Sequence, residues 1–116
     1  MCGIAGIAAP ADDLGHAGDL SAALGRMSDA MAHRGPDAAG RWQGKNILLA
    51  HRRLGVIDPG RGADQPMHSP DGRFAIVYNG EVYNFRELRS TLPGHSFRTN
   101  SDTEVVLAAW ADRGDR

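Results

Sequence analysis

The amino-acid sequence predicts an α+β fold, and three features carry that expectation. Short apolar and β-branched runs, which read as strands, come in clusters, with stretches of helical spacing between them. Glycine, at 15 of 116 residues, is spread between those runs at turn and close-approach positions. The order of runs matches clustered antiparallel strands better than the strict strand–helix alternation of a parallel sheet.

Gly3 to Ala8 is a short apolar run bounded by Pro10, which predicts a buried strand, and Asp12 to Gly18 reads as a polar loop. Leu20, Leu24, Met27 and Met31 are spaced four, three and four apart, so they form one inward helix face. Asp19 or Ser21 is the expected cap, and Gly35-Pro36 the stop. Arg41–Gln43 and Asn46–Ala50 read as strands joined by a Gly44-Lys45 turn. Leu54–Ile57 is a further β-branched run closed by Asp58-Pro59-Gly60, followed by a loop from Arg61 to Met67. Ser69-Pro70-Asp71-Gly72 predicts a turn, because proline presets φ and glycine accepts positive φ. Phe74–Tyr78 then predicts a strong strand, and Phe97–Thr99 a short one. Two S/T/N-x-x-E patterns read as capping boxes: Asn84 to Glu87, opening a helix to Leu92, and Ser101 to Glu104. The second opens a helix with Val106, Leu107 and Trp110 inward, ended by Gly114.

Composition narrows the function classes. The chain is long enough for one domain at most. Apolar residues at 41% and charged residues at 23% describe a globular chain. Thirteen basic against 14 acidic residues leave a net charge of −1, which speaks against a nucleic-acid or membrane-surface partner. No apolar run approaches the ~18 residues of a bilayer span. The start lacks the basic leader and longer apolar stretch of a signal peptide, so a cytoplasmic protein is expected. A single cysteine excludes an internal disulfide and a zinc site built on several thiolates. His33, His51 and His68 lack ligand-like spacing, so no metal site is expected.

Cys2 is the candidate nucleophile. A lone cysteine is ordinarily a small buried hydrophobe, but removal of Met1 would make this one N-terminal. Thiol and α-amine would then share one residue. An α-amine of pKa ~7.7–8.0 is partly neutral near physiological pH and can take the thiol proton directly or through a water.

Met1-Cys2-Gly3-Ile4-Ala5-Gly6-Ile7 resembles the start of the class II glutamine amidotransferases, which are N-terminal nucleophile hydrolases. His33-Arg34-Gly35-Pro36-Asp37, Ala50 to Asp58, Gln65-Pro66-Met67, Asn79 to Asn84 and Ser101 to Glu104 follow in that family's order. The resemblance spans essentially the whole chain. Pro36 and the Arg53-Leu54-Gly55-Val56-Ile57-Asp58 run resemble the asparagine synthetase branch, where the sugar-phosphate and phosphoribosyl enzymes have a Thr-Arg-Trp context.

The resemblance implies a four-layer α-β-β-α sandwich of two antiparallel sheets, incomplete in this chain. Residues 1–116 would be the front portion of the glutaminase domain. The rest of that domain, and a C-terminal synthetase domain using ATP and Mg, would lie beyond. It implies that Cys2 attacks the glutamine carboxamide to form a γ-glutamyl thioester, and that Asn79 and Gly80 form the oxyanion hole. Arg53 would clamp the substrate α-carboxylate and Asp102 accept its α-ammonium, with Leu54, Gly55, Val56, Ile57 and Glu81 lining the pocket. The expected reaction is hydrolysis of glutamine to glutamate and ammonia, the ammonia then serving ATP-dependent amidation of aspartate. Glutamine and the chain's own synthetase domain are the expected partners, and a homodimer is carried as an expectation of assembly. Two alternatives stay open: an amidotransferase serving another carboxylate, and an inactive fragment that is at most an interaction module. Taken singly, each site residue also has a plain reading. Arg53 could be a surface arginine with its stem on the sheet, Asn79-Gly80 a turn dipeptide, and Asp102 a helix-start charge.

Overall fold

The structure, a computed structural model, describes residues 1–9, 17–55 and 61–115. The fold is α+β with antiparallel sheets. Strand β1 (Gly3–Ala8) is followed by helix α1 (Ala17–Ala30), then β2 (Ala38–Gln43) and β3 (Ile47–Arg53). A 3-10 turn over Arg61–Ala63 leads to β4 (Met67–His68) and β5 (Ala75–Ile76), and α2 (Phe85–Ser90) and α3 (Asp102–Arg113) complete the order. The first sheet runs β1-β3-β2, with Ile4 opposite His51 and Trp42 opposite Leu49. The second is the two-stranded β4-β5 hairpin.

Helix α1 covers one face of the three-stranded sheet. Leu24, Leu48 and Ala50 are almost fully buried there, with Leu20, Ala5 and Ile7 packed against them. Strand β1 is half-buried rather than buried as predicted, and Ile4 is 46% exposed. Met27 also falls outside the expected helix face and is exposed. The helix begins two residues before Asp19, which therefore lies in its first turn, while Ser21 lies within the helix; neither is the cap. Met31 sits beyond the helix end against Gly3, where any Cβ would come within 2.9 Å of it. Arg52 ties the helix to the sheet through the Ser28 carbonyl and hydroxyl, both at 3.0 Å, and the Asp29 carboxylate at 2.7 Å.

The predicted strand Asn46–Ala50 runs instead over Ile47–Arg53, with β1 paired to residues 47–52 and β2 to residues 48–53. Leu54 and Gly55 leave the ladder instead of starting a strand, and Val56–Gly60 lie outside the described residues, as does the polar loop up to His16. The Ser69 to Gly72 turn forms as predicted, with the Gly72 N–H on the Ser69 carbonyl at 2.9 Å and Gly72 at φ 72°. The strand predicted over Phe74–Tyr78 shrinks to Ala75–Ile76, since only Met67 and His68 lie beside it. Phe97–Thr99 is irregular.

Around α3, Leu92, Val105 and Ala108 form a second buried cluster with Phe85, Leu88 and Phe97 against it. The buried side of α3 is thus Val105, Leu107 and Ala108, with Val106 half-buried and Trp110 51% exposed. Val106, Leu107 and Trp110 instead line a shallow apolar groove with Phe74, Ala75 and Ile76. Of the two capping boxes, the first is absent: Asn84 makes no side-chain cap bond. The second is half formed, since the Ser101 hydroxyl accepts from the Thr103 N–H while Glu104 points elsewhere.

Candidate active site

A cavity of about 440 Å³ lies between the C-terminal end of β3 and the N-terminal end of α3. Cys2, Arg53, Leu54, Asn79, Gly80, Glu81 and Asp102 all line it, drawn from segments up to a hundred residues apart. Of the other predicted site residues, Gly55 stands just outside the lining, and Val56 and Ile57 are outside the described residues.

Cys2 is half-buried at the start of β1, and this places it beside the end of the antiparallel β3. Its Sγ accepts the Leu54 N–H at 3.3 Å and its S–H faces the Leu54 carbonyl at 3.7 Å. Met1 still precedes it and lines the same cavity with a 74% exposed side chain. While Met1 is attached, the Cys2 nitrogen is a peptide nitrogen and cannot act as a base.

The segment after α1 splints this corner. Arg34 Nε donates to the Cys2 carbonyl at 3.2 Å. The Asp37 N–H donates to the Arg53 carbonyl at 3.0 Å, and the Asp37 carboxylate accepts from the Gly55 N–H at 2.8 Å. Gly35 is buried, and a Cβ there would run into the backbone carbonyl of Arg52. The glycine is required by this close approach.

Arg53 is 7% exposed, so it is no surface arginine. Its Nη1 donates to the Asp64 carboxylate at 2.9 Å, a contact that fixes the guanidinium fork at the cavity wall. Asp102 stands in the first turn of α3, as the plain reading expects, yet also lines the cavity and accepts from the Val82 N–H at 2.9 Å. One buried cation and one buried carboxylate thus share a single pocket, which suits a zwitterionic ligand. Asn79-Gly80 joins no pair of strands and is exposed on the cavity. A Cβ on Gly80 would lie 2.6 Å from the Tyr78 hydroxyl, so a side chain there would displace the tyrosine ring.

Sequence reasoning missed several lining residues. Gln65 lies within a motif it recognised but had no role there. Ser101 and Thr103 flank Asp102 in another recognised motif and likewise had no role in the pocket. Tyr78 carried no signal beyond ending an apolar run. Burial, then the negative charges of Asp102 and Glu81, push its hydroxyl above the ordinary tyrosine range, so it remains a protonated donor. His51, on β3 behind the cavity, is 1% exposed, and burial holds its imidazole below the ordinary value of 6.5 and neutral.

Residues 1–116 match a protein family described as glutamine amidotransferase domain. The chain is 42% identical, over 99% of its length, to a glutamine-hydrolysing asparagine synthetase of Sandersonia aurantiaca and 41% identical, again over 99%, to one of Triphysaria versicolor. It is 42% identical over 98% of its length to asparagine synthetase 1 of Arabidopsis thaliana, also described as glutamine-hydrolysing. It spans about a fifth of each of these relatives, 21%, 19% and 19% in that order. No helix among the described residues is long and apolar enough to cross a membrane.

Proposed function

The chain belongs to the glutamine amidotransferase domain family, and on that premise we propose that it is the glutaminase part of an asparagine synthetase. Glutamine enters the cavity with its α-carboxylate on Arg53 and its α-ammonium on Asp102. The Cys2 thiolate attacks the carboxamide carbon. Negative charge developing on the carboxamide oxygen is met by the Asn79 side-chain N–H and the Gly80 backbone N–H, donors of a kind worth ~3–4 kcal/mol each. Ammonia leaves with the proton first taken from the thiol, and water then hydrolyses the thioester to glutamate. The α-amine freed by loss of Met1 takes the thiol proton and gives it to the leaving ammonia, and then passes a proton from the attacking water to the departing thiolate. Leu54 and Glu81 line the same pocket.

The single observation that carries this reading is the convergence of Cys2, Arg53, Asn79, Gly80 and Asp102 on one cavity. In the remaining four-fifths of such a protein, ammonia would be used for ATP-dependent amidation of aspartate. ATP and Mg would serve that portion. The completed domain is read as the four-layer α-β-β-α sandwich, with residues 1–116 its front portion, and a homodimer and a cytoplasmic setting belong to the same proposal.

The test is ammonia release from glutamine by the full-length protein. Cys2→Ala abolishes it. Intact mass shows loss of Met1, and a diazo-oxo-norleucine adduct forms on Cys2 once per chain. A retained Met1 with no adduct would overturn the mechanism.

A further inference from the structure

Asn79 and Gly80 belong to no strand or helix, because the β5 ladder ends at Ile76. Donors that must meet a developing charge need a fixed backbone, and here two side chains supply it. The Tyr78 N–H donates to Gln65 Oε1 at 2.6 Å, and the Tyr78 carbonyl accepts from His51 Nε2–H at 3.1 Å. We infer that His51 and Gln65 are positioning residues for glutamine hydrolysis, gripping both backbone polar groups of Tyr78 and so aiming Asn79 and Gly80 at the scissile carboxamide. The inference rests on the glutaminase reading above.

Each side of the grip is itself anchored. His51 lies on the central strand of the sheet, two residues from Arg53 and 1% exposed. Its partner is a carbonyl, which only accepts, so Nε2 carries the proton, and burial keeps the ring in that neutral form. Gln65 is 7% exposed. Because its Oε1 serves Tyr78, its Nε2 faces Thr103 and donates to that hydroxyl at 3.2 Å. Thr103 follows Asp102 on α3, so the same amide joins the oxyanion donors to the proposed ammonium acceptor. The Gln65 backbone is set against β2, where Gly40 leaves no room for a Cβ beside the Gln65 carbonyl. Displacing Tyr78 would move Asn79 and Gly80 together while leaving Arg53 on Asp64 and Asp102 on Val82.

That separation is what the experiment reads. In the full-length protein, His51→Leu and Gln65→Met should lower kcat for glutamine hydrolysis about ten- to hundredfold, with KM within about twofold. Inhibition by the γ-aldehyde analogue of glutamine, whose thiohemiacetal places an oxygen in the same hole, should weaken by the same factor. Glutamate binding should not change. His51→Gln, whose amide N–H reaches about where Nε2 lies, and Gln65→Glu, which keeps an acceptor for Tyr78, should recover most of kcat. His51→Asn, too short to reach, should not, and it serves if the leucine variant fails to fold. Unchanged kcat, a KM effect alone, or equal losses in His51→Gln and His51→Asn would overturn the inference. A wild-type protein without Cys2-dependent ammonia release would overturn the glutaminase reading and this one with it. Cys2-dependent release with indifferent His51 and Gln65 variants would overturn this one only.

Discussion

Glu104 was expected to reach back to the start of its own helix, and it turns the other way. Its oxygens accept from the Arg98 N–H at 2.8 Å, the Thr99 N–H at 2.7 Å and the Thr99 hydroxyl at 2.6 Å, and His95 Nε2 lies at 3.3 Å. Two backbone N–H groups of an irregular segment offer a buried carboxylate more than the single N–H of the cap would. Burial pushes the Glu104 carboxyl up, but the Thr99, Arg98 and His95 hydrogen bonds together hold it below its ordinary value of 4.5. A depressed folded pKa means that Glu104 stabilises the fold fully above that ordinary value and less as pH falls through the folded one. Glu104→Gln is therefore expected to cost about 2–3 kcal/mol at neutral pH, because an amide cannot accept every bond. Urea unfolding at neutral pH and again at about pH 3 should show the gap between the two proteins closing in acid.

Elements differ in how far local signals decide them. Helix α3 has a start and a stop that operate locally: the Ser101 hydroxyl on the Thr103 N–H at 3.1 Å, and Gly114 at φ 63° with its N–H on the Trp110 carbonyl at 2.8 Å. Ser101→Ala is expected to cost about 1 kcal/mol in chemical denaturation, and Ser101→Asp to restore most of it. Which side of that helix is buried depends on α2 and the residues around Leu92, so Val105 and Ala108 went inward and Trp110 outward. Strands follow the same rule. The apolar run Phe74–Tyr78 looks like one strand, but a ladder needs a neighbour, and past Ile76 the partners of Tyr78 are side chains of His51 and Gln65.

At the scale of the molecule, the described chain measures 43 × 32 × 20 Å with a radius of gyration of 14.8 Å. A compact domain of this length would have about 13 Å. The excess fits a flat body with two small apolar clusters, one under α1 and one under α3, and the cavity between them. The clusters share no residue, so Leu48→Ala and Val105→Ala should each cost about 2–4 kcal/mol and add within about 0.5 kcal/mol. A double-mutant cycle from urea unfolding free energies measures this, and strong coupling would mean that a change in one cluster shifts the packing of the other.

The sequence by itself determined the α+β class, the helices and the Ser69 to Gly72 turn, and its resemblance to a family singled out Cys2, Arg53, Leu54, Asn79, Gly80, Glu81 and Asp102 of the residues that the cavity collects. The elements depend on short-range chemistry, apolar spacing and turn residues, while the site residues were marked by motifs that resemble a family's in their order along the chain. Only the tertiary structure decided that Arg53 is buried on Asp64, that Gly35 sits against the Arg52 backbone, and that Tyr78 is held by His51 and Gln65. These are contacts between residues 11 to 27 positions apart, through partners chosen by sheet register and by which face of each helix finds cover. A one-dimensional pattern records that a side chain can hydrogen-bond or be buried. It does not record which backbone group will lie across from it, because that is set by packing of the whole chain.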